Sequence, residues 1–174
     1  VAAQRGSQKW LQILVNRHPE RINHYLAEVL ELRGAECVKW RSPLENDDYA
    51  EYRGQAFLKQ LGISVGSVDL NSFWPRLGPQ WDGLARTDRG DLILVEAKAH
   101  ISEMCSSPTG AKGKSLELIR ASLDETKRFV RSRAKVDWST CFYQYTNRLA
   151  HLYFLREKAR LRAYLLLIYF LNDH

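Results

Sequence analysis

Apolar positions along the chain fall into two rhythms separated by a change near residue 63. From Ser7 to Leu32, Trp10, Leu11, Leu14, Val15, Ile22, Tyr25, Leu26, Val29 and Leu30 recur every three or four residues, with Pro19 near the start of the second run. This predicts two helices, the second closed by Gly34. After an extended piece at Cys37–Trp40, Ser42-Pro43-Leu44-Glu45 reads as a capping box, with Ser42 as N-cap, Pro43 at the first helical position and Glu45 reaching back. Asn46 or Asp47 is the alternative cap. The helix is expected to run through Tyr49, Tyr52, Ala56 and Phe57 to Leu61 and to stop at Gly62.

From Ile63 to Trp81 the helical period vanishes and Gly, Ser, Pro and alternating apolar residues take over, which marks a β region. Gln80–Arg86 and Leu92–Ala99 are strand candidates, joined by Thr87-Asp88-Arg89-Gly90-Asp91 with the residues of a tight turn. Ser106–Gly113 reads as a flexible loop, followed by helices over Ser115–Ser132 and Trp138–Lys158 and a closing strand within Ala163–Leu171. The order suggests an α/β layer protein with a mixed sheet.

Composition narrows the class. With 174 residues, 45% of them apolar, the chain can bury a core without disulfides or a structural metal, so one domain over residues 1–174 is expected. Cys37, Cys105 and Cys141 are widely spaced and form no zinc pattern; they read as thiols of a reducing compartment, and a cytoplasmic location is expected. Val1–Arg5 lacks an apolar stretch, so no targeting signal is expected there. The longest apolar run, Ala163–Leu171, is about half the roughly 20 residues of a membrane helix. A net charge of +6 favours a polyanionic partner.

The candidate chemistry lies in the hairpin. Residues two apart on a strand share a face, so Glu96 and Lys98 point one way while Val95, Ala97 and Ala99 point into packing. If the turn is the three residues Asp88-Arg89-Gly90, with Gly90 left-handed, position 87 faces 91 and Asp82 stands opposite Glu96. Cross-strand partners have Cβ atoms about 4.5–5.5 Å apart, which lets two carboxylates grip one ion. A two-residue turn would instead set Asp82 against Ala97. Paired carboxylates repel unless a cation lies between them, and Mg²⁺, with Mn²⁺ as a substitute, suits hard oxygen donors. Such a cation would activate water and polarise a phosphodiester, with Lys98 beside the nucleophile.

Pro79-Gln80-Trp81-Asp82, thirteen intervening residues, then Glu96-Ala97-Lys98 resembles the PD-(D/E)XK nuclease superfamily, the fold of many restriction endonucleases, recombination exonucleases and junction resolvases. Pro79 stands three residues before Asp82 rather than beside it. The resemblance implies Asp82 and Glu96 as metal ligands, the Ala97 carbonyl as a further ligand and Lys98 as the water-positioning base. It also implies a restriction-endonuclease-like αβββαβ core, matched to the helix at 48–61, three strands ending at Ala99, a later helix and the strand within 163–171. Residues 45–174 would form this core and residues 1–44 an N-terminal helical extension.

The superfamily often places an acid on its first core helix, and Glu51 is the best candidate, ahead of Glu45, Asp47 and Asp48. Gln144, with Arg148 one turn on, is similar to a Gln found on a later helix of recombination exonucleases, although the Tyr expected four residues after it is absent. DNA is the expected partner, and breaking both strands would need two such sites, hence a homodimer, or two sequential nicks. The alternative is a catalytically inactive nuclease-fold protein that binds nucleic acid or serves in assembly.

Several residues have plainer readings. His100 and Glu103 are expected to be solvated, and His18, His24 and His151 share no metal spacing. Phe142, Tyr145, Leu149 and Leu152 fall at core spacing. Two basic clusters, Lys127/Arg128/Arg131/Arg133/Lys135 and Arg156/Lys158/Arg160/Arg162, read equally as phosphate-tracking surfaces or solvated faces.

Overall fold

The computed structural model describes residues 1–31, 37–64, 69–100 and 106–171. Two helices open the chain, α1 (Gly6–Arg17) and α2 (Pro19–Val29), with Pro19 in the first turn of α2 where its missing N–H costs nothing. Strand β1 (Val38–Ser42) follows, then a short 3-10 turn at Glu45–Asp47, helices α3 (Gln55–Gln60) and α4 (Leu70–Phe73), and the hairpin of β2 (Gly83–Thr87) and β3 (Leu92–Lys98). Helices α5 (Gly113–Phe129) and α6 (Tyr143–Tyr153) cross back, α6 running on through a π-helical turn at Phe154–Lys158, to strand β4 (Ala163–Tyr169). Gly34, Cys105 and Glu103 lie outside the described residues.

The four strands lie in the order β1-β2-β3-β4. β1/β2 and β2/β3 are antiparallel, while β3/β4 is parallel, which requires the long helical crossover that α5 and α6 supply. The fold is therefore α/β, a mixed sheet flanked by helices, as expected.

Strand alternation divides the core into two. Leu84, Leu92 and Leu94 face one side and join Phe57, Leu58, Leu61, Leu70, Phe73, Trp74, Trp81, Ile119, Leu123, Ala150, Phe154 and Leu155. Ala85, Ile93, Val95 and Ala97 face the other and pack against Leu11 and Val15 of α1 and Ile22 and Leu26 of α2. Burial on both faces explains why β3 reads as a continuous apolar run instead of an alternating one. Residues 1–44, expected as an extension, supply one whole helical layer and an edge strand of this sheet.

The helix expected from Ser42 to Leu61 is corrected. Ser42 ends β1 with its residue fully buried and is not a helix cap. Asp48 and Tyr49 take positive φ values of 49° and 57°, which break any helix begun at Glu45. The helix starts only at Gln55, after Gly54. The β region expected in Ile63–Trp81 is also corrected: its described part holds the single turn of α4 and a loop, and the first strand of the sheet is β1, earlier in the chain. The four-residue α4 is too short to show a helical period in sequence.

Among the described residues, no helix is long and apolar enough to cross a membrane. The second basic cluster is largely committed to holding the fold: Lys158 pairs with Glu125 at 3.0 Å, Arg162 with the buried Asp91 at 3.1 Å, and Arg156 Nη1 donates to the Ala163 carbonyl.

Gly54 joins the two chain segments that lead into the candidate site. Its φ of +55° and ψ of −136° suit only glycine, and a Cβ there would run into the Arg76 carbonyl oxygen. Gly54→Ala is expected to lower stability by about 1–3 kcal/mol through backbone strain, measured as a lower midpoint in urea unfolding with unchanged slope.

Candidate metal and phosphodiester site

The turn joining β2 and β3 sets the geometry of the site. Thr87 N–H donates to Asp91 O at 2.9 Å, Gly90 N–H donates to Thr87 O at 2.9 Å, and Gly90 has φ +88°. This is the three-residue form with a left-handed glycine. The ladder then pairs Arg86 with Leu92, Ala85 with Ile93, Leu84 with Leu94 and Gly83 with Val95, and one further step brings Asp82 opposite Glu96. Asp82 lies just before β2, where Trp81 bridges Tyr52, and its Oδ2 accepts the Ala97 N–H at 2.7 Å.

Glu96 and Lys98 share the face of β3 that looks toward α6. The Lys98 ammonium is 2.5 Å from Glu96 Oε1, a close charge contact without hydrogen-bond alignment. Glu96 Oε2 takes the Arg148 guanidinium, which donates from Nε at 2.7 Å and approaches through Nη2 at 2.6 Å. Nη2 also donates to the Gln80 carbonyl at 2.7 Å, Nη1 donates to Asn147 Oδ1 at 2.8 Å, and the guanidinium lies over the Trp81 ring at 4.9 Å. Glu96 and Arg148 are 5% and 4% exposed, so this is a buried charge pair whose donors and acceptors are nearly all matched.

Asp82 has no such bonded counter-charge. Burial and then the Glu96 charge push its carboxyl up to about 7, with Glu51 adding to the rise, against the lowering effects of the Ala97 amide and of the Lys98 charge. Glu51 is near the cluster by a different route from the one expected: it lies before α3, not on it, and its carboxylate accepts from Gln8 Nε2 at 2.6 Å and Gln80 Nε2 at 2.7 Å. Asp47 is taken up by the Tyr52 hydroxyl. Gln144 stands in the first turn of α6, where its backbone N–H donates to Ser106 Oγ at 3.0 Å. Among the described residues no contact joins its side chain to the carboxylates. Arg148, one turn on, is the α6 residue that reaches them.

Arg148 was visible in sequence only as a neighbour of Gln144, because the core face of α6 differs from the expected one. Phe142 and Tyr145, expected in the core, are 61% and 47% exposed, while Thr146, Asn147, Arg148, Ala150 and His151 are buried. Phe142 takes a left-handed conformation before the helix begins. The helix turns its polar stripe inward because Glu96 waits on the sheet and because His151 fills a slot between Trp74 and Trp81, its ring centroid 4.8 Å from that of Trp74. Burial holds the His151 imidazole down to about 3, so it is a neutral core group.

A divalent cation fits part of this donor set. Asp82 Oδ1 has no hydrogen-bond partner among the described residues, and its carboxyl feels the Lys98 charge without an ion pair to it. Glu96 Oε1 is shared with Lys98 through an unaligned contact, whereas Oε2 is committed to Arg148. Among the described residues, no cluster of three or more His, Cys, Asp or Glu stands ready as a complete metal shell.

Two outcomes follow. Arg148→Leu is expected to destabilise the protein by about 3 kcal/mol or more, since removing one partner of a buried pair leaves Glu96 uncompensated; chemical denaturation measures this. Asp82 has a folded-state pKa above its ordinary value, so its contribution is fully present below the ordinary carboxylate range and is lost as pH rises through about 7. Asp82→Asn is therefore expected to raise the melting temperature at pH 8 and to leave it nearly unchanged at pH 4.

Comparison of the chain with protein-family models, with curated proteins and with solved structures found no match. Any assignment of function therefore stands on the geometry of Asp82, Glu96, Lys98 and Arg148 themselves.

Proposed function

We propose that the protein is a Mg²⁺-dependent nuclease of the PD-(D/E)XK type that hydrolyses DNA phosphodiester bonds. The observation that carries this reading is the hairpin register that sets Asp82 opposite Glu96, with Asp82 bonded to the Ala97 amide and Lys98 against Glu96. The order α2, β1, β2, β3, α6, β4 supports a restriction-endonuclease-like αβββαβ core, with α3 and α4 inserted between the first two strands and α5 before α6. The first core helix then falls to the N-terminal pair and not to residues 48–61.

Asp82 and Glu96, with the Ala97 carbonyl, are the groups that would hold Mg²⁺, or Mn²⁺ in its place. The ion supplies Lewis-acid polarisation of the phosphodiester and a lowered pKa for water. Lys98 orients the attacking water and offsets negative charge as the phosphorane-like transition state forms. Arg148 is a positioning residue: it fixes Glu96 from behind and ties it to the Gln80 carbonyl, two residues before Asp82. Glu51, through the Gln80 amide, braces the same strand entry and adds negative charge beside Asp82. The net charge of +6 supports a DNA partner, and a homodimer would let both strands be cut together.

The hold of Arg148 on Glu96 favours a second reading, a nuclease-fold protein that binds nucleic acid or assembles with partners and no longer turns over, because it neutralises a carboxylate that an ion would otherwise use. Assays of single-stranded, double-stranded and branched DNA with Mg²⁺ and with Mn²⁺ separate the two. Lys98→Ala is expected to abolish cleavage by at least about a hundredfold while leaving circular dichroism and DNA affinity unchanged. Absence of cutting by the unaltered protein on all three substrates with both ions would turn the assignment to the second reading.

A further inference from the structure

Beside the carboxylates lies a cavity of about 460 Å³ walled by the loop from Trp74 to Pro79, the start of α5 and the first turns of α6. Its wall is continuous with the candidate site: Pro79 lines it three residues before Asp82, and Asn147 lines it next to Arg148. Among the described residues two cations line it, Arg76 and Lys112, and no carboxylate does. Ser115 lines it from the first turn of α5, a 17-residue helix with no side-chain cap and no acidic residue in that turn. The amides at such an end attract anions, and here two exposed cations line the same cavity.

An independent feature also points to a ligand. Asn147 is 6% exposed, and the Arg148 Nη1 donor bonded to its Oδ1 fixes which way the amide faces. Its Nδ2 has no hydrogen-bond partner among the described residues, and the side chain lines the cavity. The donor of this otherwise buried side chain thus opens onto the cavity, where an acceptor of a ligand can replace water. Leu77, on the facing loop, is 65% exposed and offers apolar surface on the same rim. Two cations, the first turn of α5, an amide donor and apolar surface around one cavity are the groups that a nucleotide requires for its phosphate, base edge and sugar. The volume suits one nucleotide unit.

We propose that this cavity binds a single nucleotide of a nucleic-acid strand, its phosphate at Arg76, Lys112 and the first turn of α5 and its base or sugar against Asn147 and Leu77. In this role the cavity holds the strand next to the carboxylates, and to that extent it rests on the nuclease reading. It implies a substrate that is single-stranded, or frayed to a single strand, at this point. Arg76, Lys112 and Ser115 would then determine affinity and not chemistry.

The test measures binding apart from cleavage, as fluorescence anisotropy of labelled hexathymidylate in EDTA over a salt series. Arg76→Glu with Lys112→Glu is expected to weaken binding at least about tenfold and to reduce the slope of log affinity against log salt by about 0.7 for each phosphate that the protein no longer neutralises. Ser115→Trp, which fills the cavity without changing charge, is expected to weaken binding by a similar factor. All three positions are exposed, and circular dichroism should show these variants folded. Arg131→Glu with Arg133→Glu, just beyond the far end of α5, is expected to change binding less than twofold. The proposal is overturned if the unaltered protein does not bind the oligonucleotide at 1 mM-scale concentration, on the order of the weakest affinities worth measuring. It is equally overturned if Ser115→Trp binds normally or if the distal pair weakens binding as much as the cavity pair. Cleavage by the unaltered protein with normal binding by the cavity variants would remove the cavity and keep the nuclease. Weakened binding by the cavity variants without cleavage by any form would do the reverse.

Discussion

Everything in this fold hangs from the register of one β-hairpin. The Thr87–Asp91 turn closes with a left-handed Gly90, and from there each pairing along β2 and β3 follows by single steps. Because side chains alternate, a slip of one residue would exchange the two faces of the sheet. Leu92 and Leu94 would leave the core they share with α5 and α6, and Ile93 and Val95 would leave the layer formed by α1 and α2. The same slip would turn Glu96 and Lys98 away from Arg148. Both apolar cores and the charged cluster thus enforce one register, and the geometry of the cluster depends on packing some distance from it.

The charged cluster is itself divided. Glu96 is held between two cations, one buried and well aligned, the other close and poorly aligned. Asp82, across the ladder, is bonded to the Ala97 amide and to no cation, with Lys98 acting on it only as a nearby charge, so it carries the electrostatic strain of the site. Strain of this kind is retained only where the surroundings hold the group in place. Trp81 beneath Arg148, the bridge from Trp81 to Tyr52 and the close passage of Gly54 past Arg76 do so here. A carboxylate bonded to no cation beside one that holds two differs in that respect from an ordinary surface salt bridge.

The loop from Trp74 to Asp82 connects the cluster to its surroundings. It lacks regular structure except at its ends, yet it is anchored at Trp74 on His151, at Gly78 near the same imidazole, at Gln80 on Arg148 and at Trp81 on Tyr52. Four separate anchors make a loop as firm as a strand, and they explain why α6 turns polar and aromatic-contacting residues inward while Phe142 and Tyr145 remain in solvent. The cavity beside this loop is framed by the same anchors, so its wall and the position of the carboxylates depend on one set of contacts.

Local features were legible in the chain. The two opening helices, the long helix α5, the closing strand and the hairpin turn were all readable from period, proline and glycine, because each depends on contacts within a few residues. The facing of Asp82 and Glu96, and the shared face of Glu96 and Lys98, followed from strand geometry once the turn was taken as three residues. Tertiary structure decided the rest. It decided that Ser42 ends a strand instead of capping a helix, since β1 gains a partner in β2 that the capping pattern cannot reveal. It decided that residues 1–44 belong to the core, since only the assembled sheet has a second apolar face for α1 and α2 to cover. It placed Glu51 by the cluster through Gln8 and Gln80, from a loop. Above all it chose Arg148 as the partner of Glu96, fifty-two residues away, because a charge buried on the sheet must be met by whatever cation the facing helix can deliver.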